Sequence, residues 1–237
     1  MKVLKFGGTS VGSAQRMKGV AKLITGERNI IVLSAMSGTT NSLVEISDYL
    51  YKKNPEGANE TINSLEKKYK KHVEELYTTN EMKRKTLEFI KEEFNYLRSF
   101  TKGIFTIFEE KIIVGQGEII STNMVTNYLI EQGYNAALIP ALEFMRTDKN
   151  SEPDLEYISK NIKIQLDKVP EKDIYITQGF IASSTSPKTT TTLGREGSDF
   201  TAAIFANCLE AEEVTIWKDV DGLRNADPKR FPDTQKI

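Results

Sequence analysis

Val3-Leu-Lys-Phe-Gly-Gly-Thr-Ser-Val-Gly12 opens the chain, and Ile30-Ile-Val-Leu-Ser-Ala-Met-Ser-Gly38 repeats its grammar one helix later. In each stretch an apolar run stops at small residues and helical spacing takes over. Ala14 to Ile24 follows the first, and a helix with Leu43, Ile46 and Leu50 on one face follows the second. Apolar runs without polar alternation mark strands buried on both faces. Strand, small-residue loop and helix, repeated, build a parallel sheet with crossover helices, so the chain reads as α/β.

Working outward, Ala136 to Ile139, Ile174 to Thr177 and Val214 to Trp217 are further strands. Leu155 to Leu166 and the small-residue stretch from Phe200 to Leu209 are helices, the latter suited to close packing on a sheet. Ser183 to Thr192 is rich in hydroxyls and holds Pro187, which predicts an exposed hairpin or loop. Gly115-Gln-Gly-Glu118 reads as a glycine-flanked turn at a helix start. Residues 223–237 read as loop. Residues 55–103 differ from the rest, being highly charged and without strand signals. Ile62, Leu65, Tyr69, Val73 and Leu76 step at helical spacing, as do Leu87, Ile90, Phe94 and Leu97. This predicts an inserted helical hairpin, with Thr79 or Asn80 near the second N-cap, serving as a side layer.

The 237 residues suit one large α/β domain or two small ones. Lys plus Arg (32) nearly cancels Asp plus Glu (33), which speaks against nucleic acid and membrane surfaces as partners. One cysteine, Cys208, excludes an internal disulfide framework and fits a cytoplasmic protein; in its small-residue helix it reads as an inert packed thiol. The one histidine, His72, lies in a lysine-rich helix and reads as solvated surface. With so few His and Cys, no zinc pattern exists, and no metal-ligand set is expected from the protein. Walker and protein-kinase motifs are missing too.

Chemistry concentrates in two glycine-rich loops, Lys5 to Gly12 and Thr192-Leu-Gly-Arg-Glu-Gly-Ser-Asp-Phe-Thr201. Such loops set backbone N–H groups and a helix N-terminus around an anion. Lys5, at a strand end, could offset charge on a transferring phosphoryl group; alone, Lys-Phe-Gly-Gly is a weak signal and reads first as a surface lysine before a plain turn. Arg195 suits bidentate binding of a carboxylate. Glu118 could accept an ammonium or act as a helix-dipole carboxylate. Asp199 could orient Lys5 or cap a helix. Lys218, Asp219, Asp221 and Gly222 follow a strand, where a nucleotide could rest or a polar turn could stand. The scarcity of histidine favours a carboxylate acceptor, because a group with pKa of about 4 needs no general base at pH 7.

Together Lys5 to Gly12, Val32-Leu-Ser-Ala-Met-Ser-Gly-Thr-Thr-Asn41, Gly117-Glu-Ile-Ile-Ser-Thr122, Thr192 to Ala202, and Asp219-Val-Asp-Gly222 with Ala226-Asp-Pro-Lys229 resemble the aspartokinases, within the amino-acid kinase superfamily. The resemblance implies ATP-dependent phosphorylation of the L-aspartate β-carboxylate to 4-phospho-L-aspartate, the first step toward lysine, threonine and methionine. It implies a three-layer α/β/α sandwich on a mainly parallel, roughly eight-stranded sheet. By position, Lys5 resembles the family's transition-state lysine, Gly7, Gly8 and Thr9 its phosphate loop, and Asp199 the carboxylate that orders the site. Ser34, Thr40, Glu118 and Arg195 resemble the aspartate-binding set. Lys218, Asp219, Arg224 and Lys229 fall on the nucleotide side, and Mg2+ is implied to arrive with ATP. Glu196 departs from the pattern, standing where many relatives have glycine. Arg224 and Lys229 stand where relatives often carry a tyrosine and an arginine. Residues 1–237 are read as a single catalytic domain, incomplete at its C-terminus, with regulatory ACT domains lying outside it. Pairing into a homodimer is implied through that outside part, which leaves the oligomeric state open. The rivals are a kinase of the same fold acting on glutamate, N-acetylglutamate, carbamate or a nucleoside monophosphate, and a nucleotide-binding module without turnover.

Overall fold

Five parallel strands order the molecule. The computed structural model describes residues 1–24, 28–185, 189–219, 222, 224–227 and 230–237. The strands are β1 (Lys2–Phe6), β2 (Asn29–Leu33), β3 (Ala136–Leu138), β5 (Ile174–Gln178) and β8 (Glu213–Trp217), in the spatial order β3-β5-β2-β1-β8. A second sheet is formed by β4 (Arg146–Thr147), β6 (Ile181–Ser184) and β7 (Thr190–Thr192), with β6 and β7 antiparallel. The strands thus divide between two sheets among the described residues, where one roughly eight-stranded sheet was expected. The hydroxyl-rich segment pairs as the expected hairpin but is not exposed as expected, since Thr191 is buried and Ser183, Ser184, Thr189, Thr190 and Thr192 are half-buried; residues 186–188 lie outside the described residues.

Alternation along the strands sends side chains to two cores. Leu4, Phe6, Ile31, Leu33, Ile174 and Ile176 join one with α1 (Ala14–Leu23), α2 (Thr39–Tyr51), α3 (Pro55–Leu76), α4 (Asn80–Ser99) and α5 (Ile107–Glu131). Val3, Ile30, Val32 and Tyr175 join the other with α6 (Leu155–Lys168) and α7 (Gly197–Cys208). Helices cover both faces, giving the three layers expected. Lys5 shares the alternation of Val3, so β1 delivers one ammonium to the α7 side of the sheet. Cys208 packs in the second core, where burial pushes its thiol pKa up.

The charged insert is the predicted hairpin. Asn54 and Thr79 cap α3 and α4 by accepting from Gly57 N and Met82 N. Its buried stripe includes Ile62, Leu65, Tyr69, Ile90 and Phe94. The side layer also braces a loop at the sheet edge: Lys68 Nζ donates to Ser37 O at 2.9 Å, and the Tyr69 hydroxyl lies 2.9 Å from Thr39 Oγ1. His72 is not solvated as read from its neighbours. Its side chain is 13% exposed, three residues beyond buried Tyr69, with Nδ1 3.6 Å from Glu75. Burial lowers its pKa.

Residues 115–118 are not a turn. They lie inside α5, which runs unbroken from a Thr106–Glu109 capping box. The glycines serve packing: a Cβ on Gly117 would meet Ala35 Cβ at 2.6 Å and Thr39 Cγ2 at 3.0 Å. A Gly117→Ala variant is therefore expected to lose about 1–3 kcal/mol of stability by overpacking, against the gain alanine gives an open helix. Chemical denaturation checks the sign.

Candidate active site

Register decides where the loops go. Phe6 pairs with Leu33 and Trp217, and Leu33 with Gln178, so β1, β2, β5 and β8 end at one sheet edge. Ligands in open α/β sheets bind at that edge. The loops there are tied together: Ser37 N donates to Gly8 O at 3.1 Å, Gly179 N to Leu33 O at 2.9 Å, and Ser34 Oγ to Ser198 Oγ at 3.0 Å. Gly8 is needed for the first of these approaches, since a Cβ there would sit 2.7 Å from Ala35 O.

Between the loops is a cavity of about 330 Å³ lined by Lys5, Gly8, Ser34, Thr40, Glu118 and Asp199, with Phe180, Glu196, Gly197 and Ser198 among its other walls. The two glycine-rich loops, distant in sequence, therefore converge. The N-termini of α2 and α7 also meet here, contributed by Thr40 and Asn41 and by Gly197 and Ser198. Their amide dipoles favour an anion.

Two ammoniums flank one carboxylate. Lys5 Nζ lies 2.6 Å from Asp199 Oδ1 and Lys218 Nζ lies 2.7 Å from Asp199 Oδ2. The first contact is an ion pair by distance, with angles outside ordinary hydrogen-bond geometry. Burial opposes ionisation of Asp199, but Lys218 and Lys5 outweigh it and hold the carboxyl below its ordinary pKa. Asp199 in turn raises the pKa of Lys218. Asp199 also lies in the first turn of α7, but its oxygens face Lys5 and Lys218 and make no capping bond, so the ion-pair reading holds and the cap reading does not.

Glu118 is the opposite case. It is 3% exposed, and Oε1 accepts from Ala35 N at 3.0 Å while Oε2 has no partner. Burial raises its pKa to about 8 against the pull of the Ala35 amide. Helical phase on α5 aims it inward, so the helix-dipole reading falls. A buried acceptor with an idle oxygen calls for a donor from a ligand.

A family model described as the amino acid kinase family matches residues 1–237. The chain belongs to the amino acid kinase family. Among curated relatives, the bifunctional aspartokinase/homoserine dehydrogenase of Buchnera aphidicola is 33% identical over the whole chain, which spans 30% of that protein. Lysine-sensitive aspartokinase 3 of Escherichia coli is 33% identical over 99% of the chain, which spans 52% of it. A crystal structure of E. coli aspartokinase III in complex with aspartate and ADP superposes with a TM-score of 0.86 at 30% identity, covering all of this chain and 53% of that one. The chain thus spans about half or less of these relatives.

Other residues singled out in this amino acid kinase sequence sit around the cavity rather than in its wall. Gly7 lies beside Lys5, a Cβ on it falling 3.5 Å from Lys5 Nζ. Thr9 is half-buried in the same loop, and its carbonyl accepts from Arg16 Nη1 at 2.7 Å. Arg195 is exposed between the cavity residues Gly194 and Glu196. Asp219 is exposed. The Arg224 guanidinium donates to Thr234 O at 2.7 Å and so ties down the C-terminal segment. Lys229 and Asp221 lie outside the described residues. Sequence reasoning missed Phe180 and Ser198. Phe180 holds φ +68°, an uncommon backbone for an aromatic, and strain of this kind clusters at functional sites. Its place directly after a buried parallel strand was the available signal.

Proposed function

We propose that this site transfers the γ-phosphoryl group of ATP to the β-carboxylate of L-aspartate, the first step toward lysine, threonine and methionine. One observation carries the reading: a cavity sized for a small molecule holds a cationic, dipole-rich end at Lys5, Gly8 and α7, and an unpaired buried acceptor at Glu118. The cationic end suits phosphates and the acceptor suits an ammonium. The similarity to aspartokinases, one of which has been seen with aspartate and ADP, supports the same assignment.

In this mechanism an oxygen of the substrate β-carboxylate attacks the γ-phosphorus. The bond from that phosphorus to the β,γ-bridging oxygen breaks, and ADP leaves with its electron pair. The acceptor is already ionised at pH 7, so no general base is required. Lys5, held by Asp199, offsets charge on the equatorial oxygens, and the Gly7-Gly8-Thr9 backbone holds the phosphates. Lys218 and Asp219 serve the nucleotide side. Glu118 grips the α-ammonium, Ser34 and Thr40 orient the acceptor, and Arg195 folds over its α-carboxylate. Mg2+ would neutralise β- and γ-phosphate charge. Among the described residues no three His, Cys, Asp or Glu side chains gather as a set for a metal ion, and Asp199 is bracketed by ammoniums. The site therefore suits a cation that brings phosphate oxygens as its own ligands.

The test is turnover in the presence of hydroxylamine, which traps an acyl phosphate as a hydroxamate. ADP and hydroxamate should form with L-aspartate and not with glutamate, N-acetylglutamate or carbamate. Turnover with glutamate alone would transfer the assignment to another member of the fold, and ADP binding without any turnover would favour a binding module. Arg195→Ala is expected to raise the aspartate KM about tenfold or more through loss of a bidentate contact. A change confined to the nucleotide constants would place Arg195 on the other ligand.

A further inference from the structure

The turn that opens α7 carries a side chain where the backbone favours none. Glu196 has φ +57° and ψ 20°, the left-handed region in which a Cβ crowds the following carbonyl. Two residues earlier the same turn uses glycine, Gly194 at φ +73°. Glu196 does not repay the strain by capping, since its side chain makes no hydrogen bond to the first turn of α7. Its carboxylate instead leans over the cavity mouth, with Oε2 3.4 Å from Lys218 Nζ. Lys218 is thereby shared between Glu196 and Asp199.

Charge bookkeeping at this end of the cavity gives the carboxylate a consequence. Asp199 alone would leave the pair Lys5 and Lys218 with a net positive charge, which is what a polyphosphate needs. Glu196 reduces that surplus, its carboxylate 3.4 Å from Lys218 Nζ. Its side chain is far more exposed than that of Asp199, the other carboxylate on Lys218. We propose that Glu196 sets the nucleotide affinity of the site: its carboxylate holds Lys218 in the empty protein, a nucleoside di- or triphosphate must displace it, and nucleotide binds more weakly and leaves faster as a result. This rests on the nucleotide reading of the site given above. Faster release of the nucleotide product matters because product release limits turnover in many enzymes.

Two variants separate charge from backbone. Glu196→Gln keeps the side chain and the φ and removes the charge; Glu196→Gly also frees the backbone. ADP affinity is measured by calorimetry on the chain at about 0.05 M and about 0.5 M KCl, a range that shortens the Debye length severalfold. Both variants should bind ADP about three- to tenfold tighter than wild type at low salt, the range expected for an exposed charge beside an anion. The advantage should shrink at high salt, and ADP dissociation followed by stopped flow should slow in parallel. Glu196→Gly should in addition melt at a higher temperature. If wild type binds ADP and Glu196→Gln binds it equally or more weakly at low salt, the proposal is overturned while the kinase reading stands. A raised melting temperature in Glu196→Gly with no affinity change in either variant also overturns it, leaving a purely structural residue. If neither wild type nor the variants bind ADP, the nucleotide reading itself is wrong and this inference goes with it.

Discussion

Lys5→Ala is expected to lower turnover about a hundred- to a thousandfold, the usual cost of removing one group aimed at transition-state charge. The protein should still fold. Lys5 is a buried ammonium on a strand whose buried hydrophobics Val3, Leu4 and Phe6 hold the sheet without it. Its partner Asp199 is not left uncompensated, because Lys218 stays 2.7 Å away on the other oxygen. That spares the variant the large penalty of an orphaned buried charge. The larger loss should fall on kcat, with a smaller rise in nucleotide KM from the lost phosphate contact and a melting curve close to wild type. Near-normal turnover would remove Lys5 from the chemistry.

The second large effect concerns Glu118. Burial pushes its pKa to about 8, so in the empty cavity at pH 7 it carries a proton. An ammonium bound there stabilises the carboxylate, and the proton is released. Amino-acid affinity should accordingly rise with pH up to about 8, with protons released at pH 7, read by titration calorimetry in buffers of differing ionisation enthalpy. Glu118→Gln should bind L-aspartate about ten- to a hundredfold more weakly, the loss of a charged hydrogen bond, and show no proton release. Stability has the opposite sign. The folded pKa lies above the ordinary 4.5, so the native state holds more protons between about pH 4.5 and 8, and the empty protein loses stability as pH rises through that window. Glu118→Gln should lack that slope. A wild-type affinity flat in pH would mean the ammonium binds elsewhere.

The strand and loop order was readable because buried parallel strands are unbroken apolar runs, as at Ile30 to Leu33, and because each stops at small residues. The convergence of Lys5 with Asp199 was readable from chemistry, since an ammonium after a strand and a carboxylate after a glycine loop both belong at the carboxyl edge of a sheet. Residues 115–118 were misread because glycine in sequence signals a turn, whereas here it makes room for Ala35 and Thr39, which only tertiary structure reveals. His72 was misread from its lysine neighbours, although its helical phase, three residues past Tyr69, pointed to the sheltered side. The positive φ of Phe180 has no signature in sequence, since nothing in the residue type announces it; at Glu196 the one hint was its standing where many relatives have glycine.

The central claim is spatial: one cavity receives a nucleotide's phosphates at Lys5 and Gly8 and an amino acid's ammonium at Glu118. A crystal structure of the protein with L-aspartate and a non-hydrolysable ATP analogue tests it directly. The expected result is a γ-phosphate within hydrogen-bond reach of Lys5 Nζ, the aspartate ammonium on Glu118 Oε2, and the β-carboxylate between them. Nucleotide bound away from Lys5, or an amino acid with its ammonium turned from Glu118, would contradict it.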